Sequence, residues 1–437
     1  MQSLQWSQPI DDSAIAGLVR KGQVHSAVYT DPAIFKLEIE RIFHASWIYV
    51  GHASEVPESG DFHARSMGRT PILLVRGADG IVRVLINRCR HRGAVVCETN
   101  SGNAKVFRCW YHGWIYQNTG ALADVPGRDS YGPDFDSAAM GLTLVPRQAE
   151  YRGFIFASLS SKGMDFETWL GSAAAAVDIL IDASPTGEIF VDGGTYKTEY
   201  QGNWKMVGMD GYHTPFVHAS IFALSQKRRN TSGNLEYFET AQRAHSTDDG
   251  VTAREFGNGH TMLDYRGNTL WDFEKRAGEI RNVPGGPEYI DTLRKVRGEE
   301  RANQLIALAA DPHLGLFPNV QIVQNHIRII TPLAPDRTQI TMTAVRLGGV
   351  SDELNQRRLR QQEFFYGPAG SGSPDDAEVF ERVQRGMVAQ VDPWIEISRG
   401  LGHERTDSDG SIYGQHADEV PQRGQMKEWV KLMTRAG

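Results

Sequence analysis

The sequence predicts an α+β chain in which a small antiparallel β domain is inserted near the start of a larger mixed domain. Two observations carry that prediction. Short β-rich runs punctuated by glycine crowd the stretch from about 45 to 160. From about 164 the apolar residues shift to helical spacing, broken by a strand pair within 320–347. Composition agrees: 45 glycines in 437 residues exceed the ~7% of an average chain and call for many tight turns.

Taken in order, Asp31 reads as an N-cap with Pro32 in the first helical position, and Phe35, Leu37, Ile39, Ile42 and Phe43 carry a helix to Trp47. Residues 71–87 are two β-rich runs joined at Ala78-Asp79-Gly80, and 106–123 repeat the device at Asn118-Thr119-Gly120. Residues 165–183 are helical in pattern. The runs 320–333 and 338–347 read as a strand pair, and helices are expected within 351–366, 374–390 and 425–435. The polar 225–260 stretch lacks apolar periodicity and is expected to be a mobile loop. Domain boundaries follow: 45–160 for the β domain, 1–44 with 161–437 for the rest.

The charge balance narrows the function. Forty-six basic against 53 acidic residues give a net charge of −7, with no basic run, which argues against nucleic acid as a partner. No run approaches the ~18 apolar residues of a membrane span, and the first residues lack the pattern of a signal peptide. Three cysteines make a poor disulfide framework and suit a reducing cytoplasm.

Two of those cysteines belong to a pattern. Cys89-Arg90-His91 is followed, 17 residues on, by Cys109-Trp110-Tyr111-His112. Two thiolates and two imidazoles on adjacent hairpin tips form a four-ligand pocket. Structural zinc accepts such a set, but zinc sites group cysteine with cysteine, whereas each loop here supplies one Cys and one His. A Rieske [2Fe–2S] cluster wants that division, one iron on two thiolates and the other on two imidazoles, with a potential of ~−150 to +300 mV. Cys97, in the spacer, reads as a buried small residue.

A second constellation follows Asn203-Trp204-Lys205: Asp210, His213 and His218. Asp210 and His213 are neighbours on one helical face. His213 and His218 are five apart and share a face only if the helix breaks, which Pro215 arranges. They are either two histidines near a helix end or part of a two-His-one-carboxylate iron site, which leaves positions open for dioxygen. The carboxylate candidate is Asp376, which leads an apolar stripe of Val379, Phe380, Val383 and Met387 after Ser373-Pro374. Ser373 would be the N-cap, and Asp376 either a ligand or a capping-box carboxylate, with Asp375 off to the flank.

The motifs Cys-Arg-His-Arg-Gly (89–93) and Cys-Trp-Tyr-His-Gly-Trp (109–114), with Asp-x-x-His-x₄-His and the Gly-Pro-Ala-Gly segment before Asp375-Asp376, resemble the large subunits of Rieske aromatic ring-hydroxylating dioxygenases from about 30 to 390. The resemblance implies a Rieske antiparallel β domain inserted into a catalytic domain with a central antiparallel sheet flanked by helices. It implies Cys89, His91, Cys109 and His112 as [2Fe–2S] ligands and His213, His218 and Asp376 as ligands of a mononuclear Fe(II). Asp210 would bridge His213 to His112 of the next protomer, as a carboxylate that orients a ligand histidine does. The implied reaction is cis-dihydroxylation of an arene with both atoms of O2, by a homotrimer or an α3β3 assembly with a small β subunit. An aromatic carboxylate, a benzoate or salicylate relative, is suggested by the likeness of 363–387. Two departures stand out: Trp110 replaces the family's proline, and Met206-Val207-Gly208-Met209 is about three residues shorter than usual and lacks its Glu-Asn pair.

Apolar residues flanking the ligands, Val207, Met209, Phe216, Phe222 and Leu224 with strand residues near 318–330, are either substrate pocket or plain core. No G-x-G-x-x-G follows a strand, so electrons from NAD(P)H are expected through a separate reductase, directly or by way of a ferredoxin. Two other readings compete: a Rieske monooxygenase (hydroxylase or demethylase), and a zinc-stabilised binding protein.

Overall fold

In the computed structural model, which describes residues 11–210, 250–268, 273–370 and 372–434, the predicted hairpins close on their glycines. The Gly80 N–H bonds the Gly77 carbonyl between strands Thr70–Arg76 and Val82–Ile86, and the Gly120 N–H bonds Gln117 between Ile115–Gln117 and Leu122–Asp124, both at 2.9 Å. These hairpins lie in one of two compact units, Ile39–Phe166; the other is Met1–Glu38 with Glu167–Gly437. The fold is α+β.

The smaller unit holds three antiparallel sheets. The four-stranded sheet runs Val82–Ile86, Thr70–Arg76, Asp61–Met67, Ser101–Asn103. One three-stranded sheet is Leu122–Asp124, Ile115–Gln117, Val106–Arg108, and the other pairs Arg147–Tyr151, Phe154–Ser158 and Ile48–His52. Phe62, Leu73, Leu85, Phe107, Trp114 and Tyr116 form a shared apolar core that also encloses Cys89 and Cys109.

The larger unit is built on a nine-stranded antiparallel sheet. Its strands are β1 (Thr195–Tyr200), β2 (Thr252–Glu255), β3 (Thr261–Asp264), β4 (Leu314–Leu316), β5 (Val320–Val323), β6 (His326–Ala334), β7 (Arg337–Ala344), β8 (Arg405–Thr406) and β9 (Ile412–Gln415), in the order β1-β7-β6-β5-β4-β3-β2-β9-β8. Five helices matter here: α1 (Pro32–Glu38), α2 (Lys205–Asp210), α3 (Asp352–Tyr366), α4 (Ser373–Gly386) and α5 (Val420–Met433). Among the described residues no helix is long and apolar enough to cross a membrane.

Residues paired directly across antiparallel strands put their side chains on the same face. Tyr196 pairs with Met342, Met342 with Arg328, Arg328 with Gln321, Gln321 with Gly315 and Gly315 with Thr261. This row therefore marks one face of the sheet. Gln321 Nε2 donates to the Val207 carbonyl of α2 at 2.8 Å, and Tyr200, four residues along β1 from Tyr196, packs its ring 5.4 Å from Phe380 of α4. α2 and α4 thus cover the same face.

Several local expectations are corrected. Asp31 does cap, its carboxylate accepting the Ala33 N–H at 2.7 Å, but the α-helix ends at Glu38 and Ile39–Phe43 is a π-turn, not a helix to Trp47. Residues 252–255, expected in a mobile loop, are strand β2, paired on both sides; partner strands supply what local patterning lacked. The 320–333 run is two strands, because Gln324 adopts φ +51° and turns the chain. The last helix starts at Val420, not 425.

One buried cluster ties three helices together. Glu38, at the end of α1, is fully buried and accepts Lys205 Nζ at 2.6 Å, Trp204 Nε1 at 2.8 Å and Trp429 Nε1 of α5 at 2.7 Å. Burial pulls the Lys205 ammonium below its usual range, and Glu38 opposes that pull. Glu38→Gln should leave a buried cation uncompensated and cost about 3–5 kcal/mol, read as a fall in the midpoint of chemical denaturation. Adding Lys205→Met to that variant should recover part of the loss, because the charge goes while the introduced amide oxygen still accepts the indoles.

Candidate metal centres

The two Cys/His loops of the smaller unit are built alike. In the first, the Cys89 N–H donates to the Ala94 carbonyl at 2.8 Å and the Gly93 N–H returns to the Cys89 carbonyl at 3.0 Å. In the second, Cys109 N–H donates to Trp114 at 2.8 Å and Gly113 N–H returns to Cys109 at 2.9 Å. Gly93 and Gly113, at φ +77° and +74°, occupy the left-handed position that lets each chain double back. A Cβ on Gly93 would meet Arg88 Nε at 3.0 Å, and one on Gly113 would meet Pro126 at 3.1 Å. The shared Cys-x₃-Gly spacing underlies this match, although the histidine stands two residues after Cys89 but three after Cys109.

The four side chains gather as pairs. Both thiols are buried, 3% and 2% exposed, in one apolar core. The imidazoles of His91 and His112 meet edge to face with centroids 4.5 Å apart. His91 stacks on Trp114 at 5.3 Å, and its buried Nδ1 has no hydrogen-bond partner in the protein. Desolvation, then the charges of His91 and Arg92, hold His112 below the usual histidine range and favour the neutral, ligating form. Among the described residues no group of three or more His, Cys, Asp or Glu side chains could hold a single ion. Pairs of thiols and imidazoles are the donor set of a two-iron cluster, and these residues fit it.

Tyr116 is a residue that sequence reasoning missed. Its hydroxyl lies 3.2 Å from Cys89 Sγ and accepts the Arg90 N–H at 3.0 Å. Burial and then the contact with Cys89 raise it above the usual tyrosine range. Beyond this core, Trp110 and Tyr111 project from the tip of the second loop, 92% and 60% exposed. Cys97 is only half-buried, its thiol 3.7 Å from the Thr99 carbonyl, so its expected burial is corrected.

In the larger unit, His213, His218, Phe216, Phe222 and Leu224 lie outside the described residues. Asp210 and Met209 form the end of α2, with their side chains outside the description. Val207 is buried in α2, 1% exposed. The last turn of that helix is held by side chains: besides Gln321 on Val207, Gln425 Nε2 of α5 donates to the Gly208 carbonyl at 2.9 Å. Helix α4 begins one residue earlier than expected. Gly372 is its N-cap, Ser373 is already helical, and no side chain caps it. Asp376 therefore falls one position beyond the capping-box site, which removes the capping explanation. Asp376 and Asp375 are both 8% exposed, so Asp375 does not point to the open flank. Asp376 heads the buried side of α4, in line with Phe380 and Met387.

Residues 46–143 match the Rieske [2Fe-2S] domain, and 188–427 match the ring hydroxylating alpha subunit (catalytic domain). The chain is 34% identical to the anthranilate 1,2-dioxygenase large subunit of Acinetobacter baylyi over 85% of its own length and 79% of that protein. It is 36% identical to the toluate 1,2-dioxygenase subunit alpha of Pseudomonas putida, over 86% and 81%. Among solved structures, naphthalene 1,2-dioxygenase from Rhodococcus sp. bound to indole superposes with a TM-score of 0.78 at 25% identity, covering 99% of each chain. The Rieske match sets aside the zinc-stabilised binding protein. The chain belongs to the alpha subunits of the Rieske ring-hydroxylating dioxygenases, terminal oxygenases that carry a [2Fe–2S] cluster and a mononuclear iron.

Proposed function

We propose that this subunit adds both atoms of O2 to the ring of an aromatic carboxylate, using electrons relayed from a separate NAD(P)H-dependent reductase, directly or through a ferredoxin. The observation that carries the reading is the matched pair of loops, with two buried thiols and two facing imidazoles. The substrate class rests on the relatives named for anthranilate and toluate.

In this reading Cys89 and Cys109 hold one iron of the cluster, and His91 and His112 the other. His213, His218 and Asp376 hold the mononuclear iron, with Asp210 hydrogen-bonded to His213 and reaching toward His112 of the next protomer. When bound, the cluster supplies single electrons and the mononuclear iron the open positions for dioxygen. The protein's own part is positioning. Gly93 and Gly113 set the loops, and the Tyr116 hydroxyl offers a hydrogen bond to the Cys89 sulfur. Gln321 and Gln425 hold the end of α2 from which Asp210 departs. Val207, Met209, Phe216, Phe222 and Leu224 shape a dry pocket beside the iron, and the shortened 206–209 segment keeps polar side chains out of it. Exposed Trp110 and Tyr111 lie at the loop that an electron donor or a neighbouring protomer would approach. A head-to-tail ring, a homotrimer or α3β3 with a small β subunit, brings the cluster of one protomer to the iron of the next.

The defining experiment is turnover of an aromatic acid panel under 18O2 with a competent reductase. Two labelled oxygens in a cis-diol support the proposal; a single labelled oxygen would make the protein a monooxygenase. Hydrogen bonds to cluster sulfurs raise the potential, so Tyr116→Phe should lower it by tens of millivolts in protein-film voltammetry while the visible spectrum persists. The two aspartates should separate cleanly. Asp376→Ala should lose mononuclear iron by metal analysis and keep the Rieske signal, whereas Asp210→Asn should keep both metals and lose product formation. Wild-type turnover by Asp210→Asn would remove the bridge.

A further inference from the structure

Arg328, the third residue of β6, is a cation placed where cations are rarely left alone. It is 6% exposed. Its Nε donates to Nε2 of His326, itself fully buried, at 2.9 Å, and its guanidinium lies 4.8 Å above the ring of Tyr366. No carboxylate pairs with it among the described residues, and its terminal nitrogens make no hydrogen bond there. Arg254 of the same unit, 11% exposed, is treated differently: it reaches Asp264 and Asp407. His326 does not supply the missing charge, since burial and then Arg328 itself keep its imidazole well below the usual range and hence neutral. Buried charges are ordinarily paired, and an unpaired one implies a counter-ion that arrives with a ligand.

The sheet register says where that ligand would lie. Arg328 pairs with Gln321 and with Met342, so its side chain shares their face. Gln321 binds the carbonyl of Val207 in α2, the helix that ends at Asp210. Tyr200, on the same face, packs on Phe380, one turn beyond Asp376 in α4. Tyr366, under the guanidinium, ends α3 just before the turn into α4. The cation therefore stands on the sheet face that carries both helices of the proposed iron site, with Met342 and the Tyr366 ring as apolar and aromatic neighbours.

We propose that Arg328 is the residue that receives the carboxylate of the aromatic substrate and so fixes the orientation of its ring. This rests on the aromatic-acid reading above and deepens it. A planar guanidinium matches a carboxylate with two parallel N–H donors, which fixes ring orientation as well as affinity. His326 holds the Nε edge and leaves the fork of terminal nitrogens for the substrate.

The test uses the metal-loaded enzyme without electron donor, titrated calorimetrically with benzoate and with its neutral isostere benzamide. Arg328→Met and Arg328→Gln should weaken benzoate binding about 30-fold or more and leave benzamide within about 3-fold, with cluster spectrum and iron content unchanged. Arg328→Lys keeps the charge but not the fork; it should bind benzoate with intermediate affinity and serves if the other variants fold poorly. Equal benzoate affinity in wild type and Arg328→Met would make Arg328 a structural residue and overturn the inference alone. A wild-type enzyme that binds benzamide or toluene but no aromatic acid would overturn the aromatic-acid reading, and this inference with it.

Discussion

The larger unit is organised around the buried carboxylate of Glu38. It takes an ammonium and two indole N–H donors from residues 204, 205 and 429, and so fixes where α1, the start of α2 and α5 meet. A buried ion pair contributes little net stability, but it is intolerant of displacement, because moving either partner leaves a charge in a dry interior. That intolerance suits the place. α2 is barely two turns long, and its far end carries Asp210. With its first residue held by Glu38 and its last carbonyls held by Gln321 and Gln425, so short a helix has a defined axis without much hydrophobic surface of its own.

The smaller unit reaches the same end by other means. Its loops are defined by backbone hydrogen bonds and left-handed glycines, which need no large core and tolerate a histidine shifted by one residue between the two copies. The apolar core behind them, Phe107, Trp114 and Tyr116 among others, keeps the thiols away from water and brings a single hydroxyl to one sulfur. On the proposed reading the protein separates two tasks, an electron-storing pocket assembled from turns and an oxygen-handling one beside the ends of α2 and α4.

How much of this was legible in the sequence depended on the range of the interactions. The Cys/His loops, the glycine hairpins, the cap at Asp31 and the carboxylate that leads α4 were all readable, because each depends on residues within about one turn or one loop. What escaped reading came from partners far along the chain. Strand β2 looks like loop until β3 and β9 pair with it. The π-turn at 39–43 and the turn at Gln324 interrupt runs whose apolar periodicity reads as continuous in sequence. Gly372 rather than Ser373 is the N-cap of α4, a one-residue difference that changes how Asp376 is explained.

Taken alone, then, the sequence offered two thiols and two imidazoles in a division that suits a two-iron cluster, and a histidine pair with a distant carboxylate as candidates for a second metal. The cluster motif is written in local spacing, and local spacing survives without tertiary knowledge. Only the tertiary structure decided which polar groups lie buried together, and with what compensation. Glu38 and Lys205 are 167 residues apart, and in sequence Arg328 is one basic residue inside an apolar strand. Burial and pairing belong to the folded sheet and its covering helices. No linear pattern encodes whether a buried charge has found its partner.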